Sequence, residues 1–466
     1  EYSEISRGGS PRPIQDYLTS SCHGINWIKI GDVSKNSKYI LSTAEKIIPE
    51  GVSKSRAVFS GDLILSNSMS FGRPYILKID GCIHDGWLVI QNYQSAFDKE
   101  YLYYCLGSEF TIRQYISMAA GSSVQNLNKD KVSAVIIAKP PIQEQAGIAN
   151  ALSDADNLIF SLQKLIEKKK AIKQGAVQEL LTGKKRLPGF SGEWKELNFA
   201  ESAKLKARIG WQGLTTSEYL QSGYAYLITG TDFHNGRIKW DTCHFVDEKR
   251  YKQDVNIQIK KHDILLTKDG TIGKVAYISD ITKPATLNSG VFVIRPAKEK
   301  TFDPNFVYHI LNSFIFDNFL AKLSAGSTIN HLYQKDFVDF KFKAPAELVE
   351  QRAIAQVLSD MDSEIEKLEK KLAKYQQIKQ GMMQELLTGR IRLVDTGGNE
   401  QPLTQVAQEQ QPQPAHNHHF DDAVMIAGIV NAFYSDKYPL GRKKVQKLLY
   451  LLRRKEQADI SAFHKK

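Results

Sequence analysis

At 466 residues and 42% hydrophobic content, the chain is long enough for two to four packed domains and too apolar for a largely disordered one. No apolar run approaches the ~18 residues of a membrane span. The four cysteines, Cys22, Cys82, Cys105 and Cys243, form no CxxC pair, which favours a reducing compartment and argues against a structural zinc site. A net charge of +11 favours a polyanionic partner, nucleic acid first. The chain starts at Glu1 rather than Met, so the lack of a targeting segment there carries no weight.

Residues 1–141 read as a first mixed α/β domain. Short β-rich runs such as Asp62–Leu65 and Trp87–Gln91 alternate with Gly, Asn and Ser turns, and Tyr101–Ala119 has a helical pattern. The loop SNSMSFGRPY at Ser66–Tyr75 follows a strand. It offers Ser66, Asn67, Ser68 and Arg73 as small polar or cationic groups that can reach base edges and phosphates. GSSVQNL at Gly121–Leu127 adds Ser122 and Asn126.

Residues 142–187 form one long helix after Pro140-Pro141, stopped by Gly183. Its apolar seam runs through Leu152, Ala155, Ile159, Leu162 and Ile166, with Lys169 the exception, and Leu180 closes it. Residues 188–346 are a second α/β domain, with strands at Asp263–Thr267 and Val291–Arg295 and a helix at Phe306–Leu323. Its loop TKDGTIGKVAY supplies Thr267, Lys268, Thr271 and Lys274, and GSTINHL supplies Ser327 and His331. Residues 347–393 are a second long helix, with a seam at Leu358, Met361, Ile365, Leu368, Leu372 and Tyr375, continued by Leu386.

The two long helices are copies. Glu144–Leu187 aligns with Glu350–Leu393 at a constant offset of 206, and IKQGAVQELLTG matches IKQGMMQELLTG at ten of twelve positions. Weaker matches at offset 205 pair YLYYCLGSEF with FVYHILNSFI and GSSVQNL with GSTINHL. GDLILS resembles HDILLT, and IKIGDV resembles ITGTDF. Gly175 and Gly381 sit inside the helical pattern, where glycine costs about 1 kcal/mol against alanine. Both are read as close helix–helix contacts. Residues 394–419 are a Gln/Pro-rich linker, and 420–466 a small helical segment.

Catalytic signals are weak. GTIGK at Gly270–Lys274 lacks the full phosphate-loop pattern. DPNF at Asp303–Phe306 lacks the second proline of the amino-methyltransferase motif, and a turn before a helix explains it. Asp362, Glu364 and Lys367 fall on the charged flank of a heptad helix rather than in a nuclease cluster. His416, His418 and His419 lie in the polar linker, so no metal site is assigned. No catalytic residue is assigned either.

The twin QELLTG helix ends, the paired helix starts PIQEQ and PAELVEQ, and the bridge RLPGFSGEW at Arg186–Trp194 resemble the specificity subunit of type I restriction–modification enzymes, over about residues 1–393. The resemblance implies an α+β fold with two target recognition domains held apart by a pair of long antiparallel coiled-coil helices, related by a pseudo-twofold. It implies a non-catalytic, sequence-specific DNA-binding subunit in a bacterial or archaeal cytoplasm. Such a subunit reads an asymmetric bipartite target in double-stranded DNA. It docks two modification subunits, which carry S-adenosylmethionine and methylate adenine N6, and restriction subunits join them. The chain itself would then hold no cofactor. In the tail, LGRKKVQKLLYLL at Leu440–Leu452 resembles the start of a Panacea-type domain, with a plain amphipathic helix as an equal reading. Two other functions stay open on the residues alone: a DNA-modifying enzyme with hidden motifs, or a coiled-coil scaffold that binds only proteins.

Overall fold

The computed structural model describes residues 2–33, 37–67, 71–119, 127–210, 213–324 and 331–393, all within one unit, Glu1–Asp395. Ser68, Ser122, Asn126, Ser327, the linker with its histidines and the segment 420–466 lie outside the described residues.

Each half is built on a sheet buried on both faces. In the first half the strand order is Glu4–Arg7, Trp87–Gln91, Leu63–Ser66, Pro74–Leu77, Tyr39–Ile40, with only the last pair parallel. Side chains alternate across a strand, so Leu63 and Leu65 enter one core while Ile64 enters another. The second half repeats this. Ala203–Lys206, Val291–Pro296, Ile264–Thr267 and Val275–Tyr277 form a four-stranded sheet. Ile264 and Leu266 face one core and Leu265 the other. Burial on both faces accounts for the unbroken apolar runs LIL and ILL.

The expected helices at 101–119 and 306–323 are each two helices, Lys99–Leu106 with Glu109–Ala119, and Pro304–Leu311 with Phe314–Ser324. A serine hydroxyl marks each break. Ser108 Oγ donates to the Cys105 carbonyl at 2.8 Å, and Ser313 Oγ to the Ile310 carbonyl at 2.7 Å, so a side chain takes over a backbone bond where the helix turns.

The long helices span Ile142–Leu180 and Leu348–Leu387, 39 and 40 residues, or roughly 60 Å at ~1.5 Å rise per residue. Gly183 and Gly389 follow them at φ +71 and +73, the left-handed stop that glycine supplies without strain. The helices pack antiparallel. Lys379 pairs with Asp156 at 2.5 Å, and Lys173 pairs with Asp362, its equivalent with the helices exchanged. Lys169, the exception in the seam, pairs with Glu364 at 2.7 Å, so Asp362 and Glu364 bridge helices rather than only face solvent. Leu152, Leu162, Leu358 and Ile365 are buried, and Ile159 and Leu368 half-buried. Gly175 and Gly381 do not make close helix contacts. A Cβ at either position meets no atom within 4 Å, because the seam passes on the other side of the helix.

The helix ends are crossed into the cores. The first half's core contains Ile148, Ala149 and Leu152 from its own helix and Leu386 and Leu387 from the other. The second half's core contains Ile354, Ala355 and Leu358 with Leu180 and Leu181.

Candidate DNA-reading loops and the helical clamp

The two loops singled out in the sequence share one hydrogen-bonded frame. In the first, Ser66 N–H donates to the Arg73 carbonyl, Arg73 N–H to Ser66 Oγ, and Gly72 N–H to the Ser66 carbonyl, at 3.0, 3.1 and 2.9 Å. In the second, Thr267 N–H donates to the Lys274 carbonyl, Lys274 N–H to Thr267 Oγ1, and Gly273 N–H to the Thr267 carbonyl, at 2.9, 3.0 and 3.1 Å. Gly72 and Gly273 have φ +72 and +90. An added Cβ would lie 2.6 Å from the Tyr115 ring or 2.7 Å from Leu320, so both backbone and space require glycine. The next residues are tied alike. Asn67 N–H donates to Gly86 and Lys268 N–H to Gly290, while Leu127 and Leu332 N–H donate back to the Asn67 and Lys268 carbonyls, all at 2.9 Å.

This frame changes the role of three residues expected to touch DNA. Ser66, Asn67 and Thr267 are buried, and their side chains hold the loops in shape. What remains accessible differs between halves. Arg73 is half-buried above the Tyr75 ring, 6.0 Å from its centroid. Thr271 and Lys274 are exposed, and Lys268 is half-buried with Nζ 3.4 Å from His331 Nε2. The other ring nitrogen of His331 faces Asp269, and its ring packs on exposed Tyr333 at 4.3 Å. Lys268, His331 and Tyr333 thus share one edge. Tyr333 carried no sequence signal, being one aromatic among many.

A reciprocal clamp fixes where these loops sit. Arg186, beyond the end of the first long helix, donates from Nε and Nη2 to the Glu350 carboxylate at 2.6 Å each. Arg392 does the same to Glu144, at 2.6 and 2.7 Å. Each glutamate lies in the first turn of its helix, where backbone N–H groups favour negative charge. The Arg392 hydrogen bonds hold the Glu144 carboxyl below the usual range against the opposing effect of burial, with help from the Arg392 charge and the Leu393 amide. The neighbouring glutamines grip the domains. Asp98 and Asp303, which cap the helices after the sheets, each donate their N–H to Gln145 or Gln351 Oε1 at 2.8 Å. Asp303 of the DPNF stretch is therefore a helix cap. The Glu-Gln pair at each helix start thus joins the opposite helix end to its own domain.

The domain–helix junctions differ. In the first, Tyr104 donates its hydroxyl to Asp156 Oδ2 at 2.7 Å. In the second, His309 takes the equivalent place, 3% exposed, with Nε2 3.0 Å from Ser359 Oγ. Burial holds the imidazole neutral and pulls its pKa down to about 3. The Lys173 charge adds to this, and the Ala355 backbone opposes it.

Two sheet domains with like loops and unlike side chains, carried on a reciprocal antiparallel spacer, define a two-headed recognition protein. The chain belongs to the family of type I restriction modification DNA specificity domains, whose profile matches residues 4–174 and again 212–380. It is 26% identical over 373 residues to the type I restriction enzyme MjaVIII specificity subunit of Methanocaldococcus jannaschii, covering 77% of this chain and 83% of that one. It is 26% identical over 423 residues to the putative MjaX specificity subunit of the same organism, covering 84% and 96%. The fold matches the crystal structure of the type I restriction–modification S subunit from M. genitalium with a TM-score of 0.52 at 17% identity, covering 83% of this chain and 93% of that one. The chain's role is DNA sequence specificity.

Proposed function

We propose that the chain reads an asymmetric bipartite sequence in double-stranded DNA, one part with each half, and is not itself a catalyst. The observation that carries this is the pair of equivalent loop frames bearing different accessible groups, Arg73 in one and Thr271, Lys274, Lys268 and His331 in the other. Equal frames present the duplex with equivalent geometry, and unlike groups select different bases. Two modification subunits holding S-adenosylmethionine supply adenine methylation, and restriction subunits complete the complex in a bacterial or archaeal cytoplasm. Co-expression with the modification subunits and mapping of methylated adenines tests it. The expected result is two different short sequences at a fixed spacing. A palindromic target, or methylation by the chain alone, would falsify the assignment.

A further inference from the structure

Asp85 gathers cations from separate segments of the first half. Arg7 donates Nε–H to the Asp85 carbonyl at 3.0 Å. Ser10 donates its hydroxyl to Asp85 Oδ1 at 3.0 Å, and His84 Nε2 lies 2.9 Å from the same oxygen. The Arg12 guanidinium stands 3.8 Å from Oδ2 with its side chain 84% exposed. Arg56 lies one step further out, its Nε donating to the Arg7 carbonyl at 3.5 Å. The cluster is fastened to the recognition loop, because buried Asn67 donates Nδ2–H to the Asp85 carbonyl at 2.8 Å.

Three exposed arginines lie near Asp85, and only Arg12 is paired with its carboxylate, Arg7 and Arg56 donating to backbone carbonyls; this leaves a local excess of positive charge that a polyanion relieves. An ion pair as exposed as Arg12–Asp85 adds little to stability. At 3.8 Å it is a charge contact rather than a hydrogen bond: it keeps the guanidinium on this side of the loop and places a negative charge that repels phosphate more strongly than an uncharged base edge. Guanine offers two acceptors, O6 and N7, spaced for a guanidinium fork. The turn that borders the second loop carries Asn288 and Ser289 in place of His84 and Asp85, so the device belongs to one half only.

We infer that the Asp85 cluster is a further base-reading element of the first half, beside Arg73: Arg12 reads a guanine, Asp85 keeps it near the loop by charge, and Arg7 and Arg56 meet flanking phosphates. This rests on the function proposed above and assigns that half a guanine-containing sequence.

The test uses the full chain co-purified with its modification subunits, selection from a randomised duplex library, and affinities at several salt concentrations. Arg12→Lys keeps the charge and loses the fork. It should lower the preference for guanine at one position of one half-site about tenfold or more, with the other half-site and the salt slope unchanged. Asp85→Asn should weaken the same preference while raising non-specific affinity. Arg7→Ala should reduce the salt slope by about one and leave every base preference in place. A wild-type complex whose selected sequence survives both Arg12→Lys and Asp85→Asn unchanged overturns the inference alone. Equal loss in both half-sites overturns it too. A wild-type complex that selects no sequence overturns the proposed function and the inference with it.

Discussion

Arg186 grips Glu350 with two hydrogen bonds of 2.6 Å across 164 residues of sequence, and Glu350 is 1% exposed. Removing the arginine leaves a buried carboxylate without its counter-charge. Arg186→Met should therefore destabilise the chain by roughly 3 kcal/mol, the lower end for a broken buried pair, because Arg186 itself is 27% exposed. Arg392→Met should cost less, since Arg392 is 48% exposed. The double change Arg186→Met with Glu350→Met should restore part of the loss. Urea unfolding of the wild type, Arg186→Met, Glu350→Met and the double variant closes the cycle, with Arg392→Met measured beside it, and strictly additive losses in the cycle would mean that the two side chains are not energetically coupled.

Acid sensitivity should come in two overlapping windows, distinguishable above pH 4.5, where only His309 contributes. His309 is neutral in the folded chain down to about pH 3, whereas an unfolded histidine binds its proton below about 6.5. Between those values the unfolded state holds the extra proton, so stability falls as pH falls, by up to about 1.4 kcal/mol per unit. Glu144 acts differently. Its folded carboxyl is held below 4.5, so its contribution is present above 4.5 and is lost as pH drops through the folded value. His309→Gln should flatten the stability profile between pH 4.5 and 6.5. Arg392→Met should change its slope around and below 4.5, because without the arginine burial pushes the Glu144 carboxyl up. Denaturant titrations across pH 3–7 measure both, and an unchanged profile in His309→Gln would show that the imidazole is not held neutral.

How much of this was readable beforehand depends on how far each feature reaches. The repeat, the strands around Ile64 and Leu265 and the Leu152–Ile166 seam are local patterns, and they were legible. The Glu-Gln and Arg-Leu identities were visible as shared residues. Their pairing was not, because each copy's arginine meets the other copy's glutamate, 248 residues apart for Glu144 and Arg392. Ser66, Asn67 and Thr267 read as polar turn residues because nothing local reveals that a loop's own frame buries them. The Asp85 cluster draws on residues 7, 10, 12 and 84, which only the paired strands Glu4–Arg7 and Trp87–Gln91 bring together. The helical patterns run straight through Ser108 and Ser313, and nothing local shows that these serines back-bond and turn the helix.

The interior glycines Gly175 and Gly381 stand in open space rather than at helix contacts, which gives a signed expectation. Gly175→Ala and Gly381→Ala should each stabilise the isolated chain by about 0.5–1 kcal/mol. An added methyl group meets nothing within 4 Å, and alanine loses less backbone freedom on folding. Thermal melts of the single variants check this. A loss of stability would show that a Cβ at these positions does meet a neighbour.

The clamp also makes the spacer adjustable without disturbing either head. Reciprocal contacts such as Lys379–Asp156 and Lys173–Asp362 place the middle of the pair near Lys164 and Lys370. Inserting seven residues after Lys164 and seven after Lys370 keeps the heptad register in both helices. It also keeps Arg186 on Glu350 and Arg392 on Glu144. An insertion in one helix alone would shift every later cross-pair out of register and open one clamp. The paired insertion lengthens the rod by about 10 Å at ~1.5 Å per residue. Duplex DNA rises about 3.4 Å per base pair, so the two heads should find their half-sites about three pairs further apart. Base preferences should stay as they were, because no loop residue has moved relative to its own sheet. Methylation mapping of the variant complex reads both quantities at once. The same spacing with full activity would mean that the helices do not set the distance between the heads.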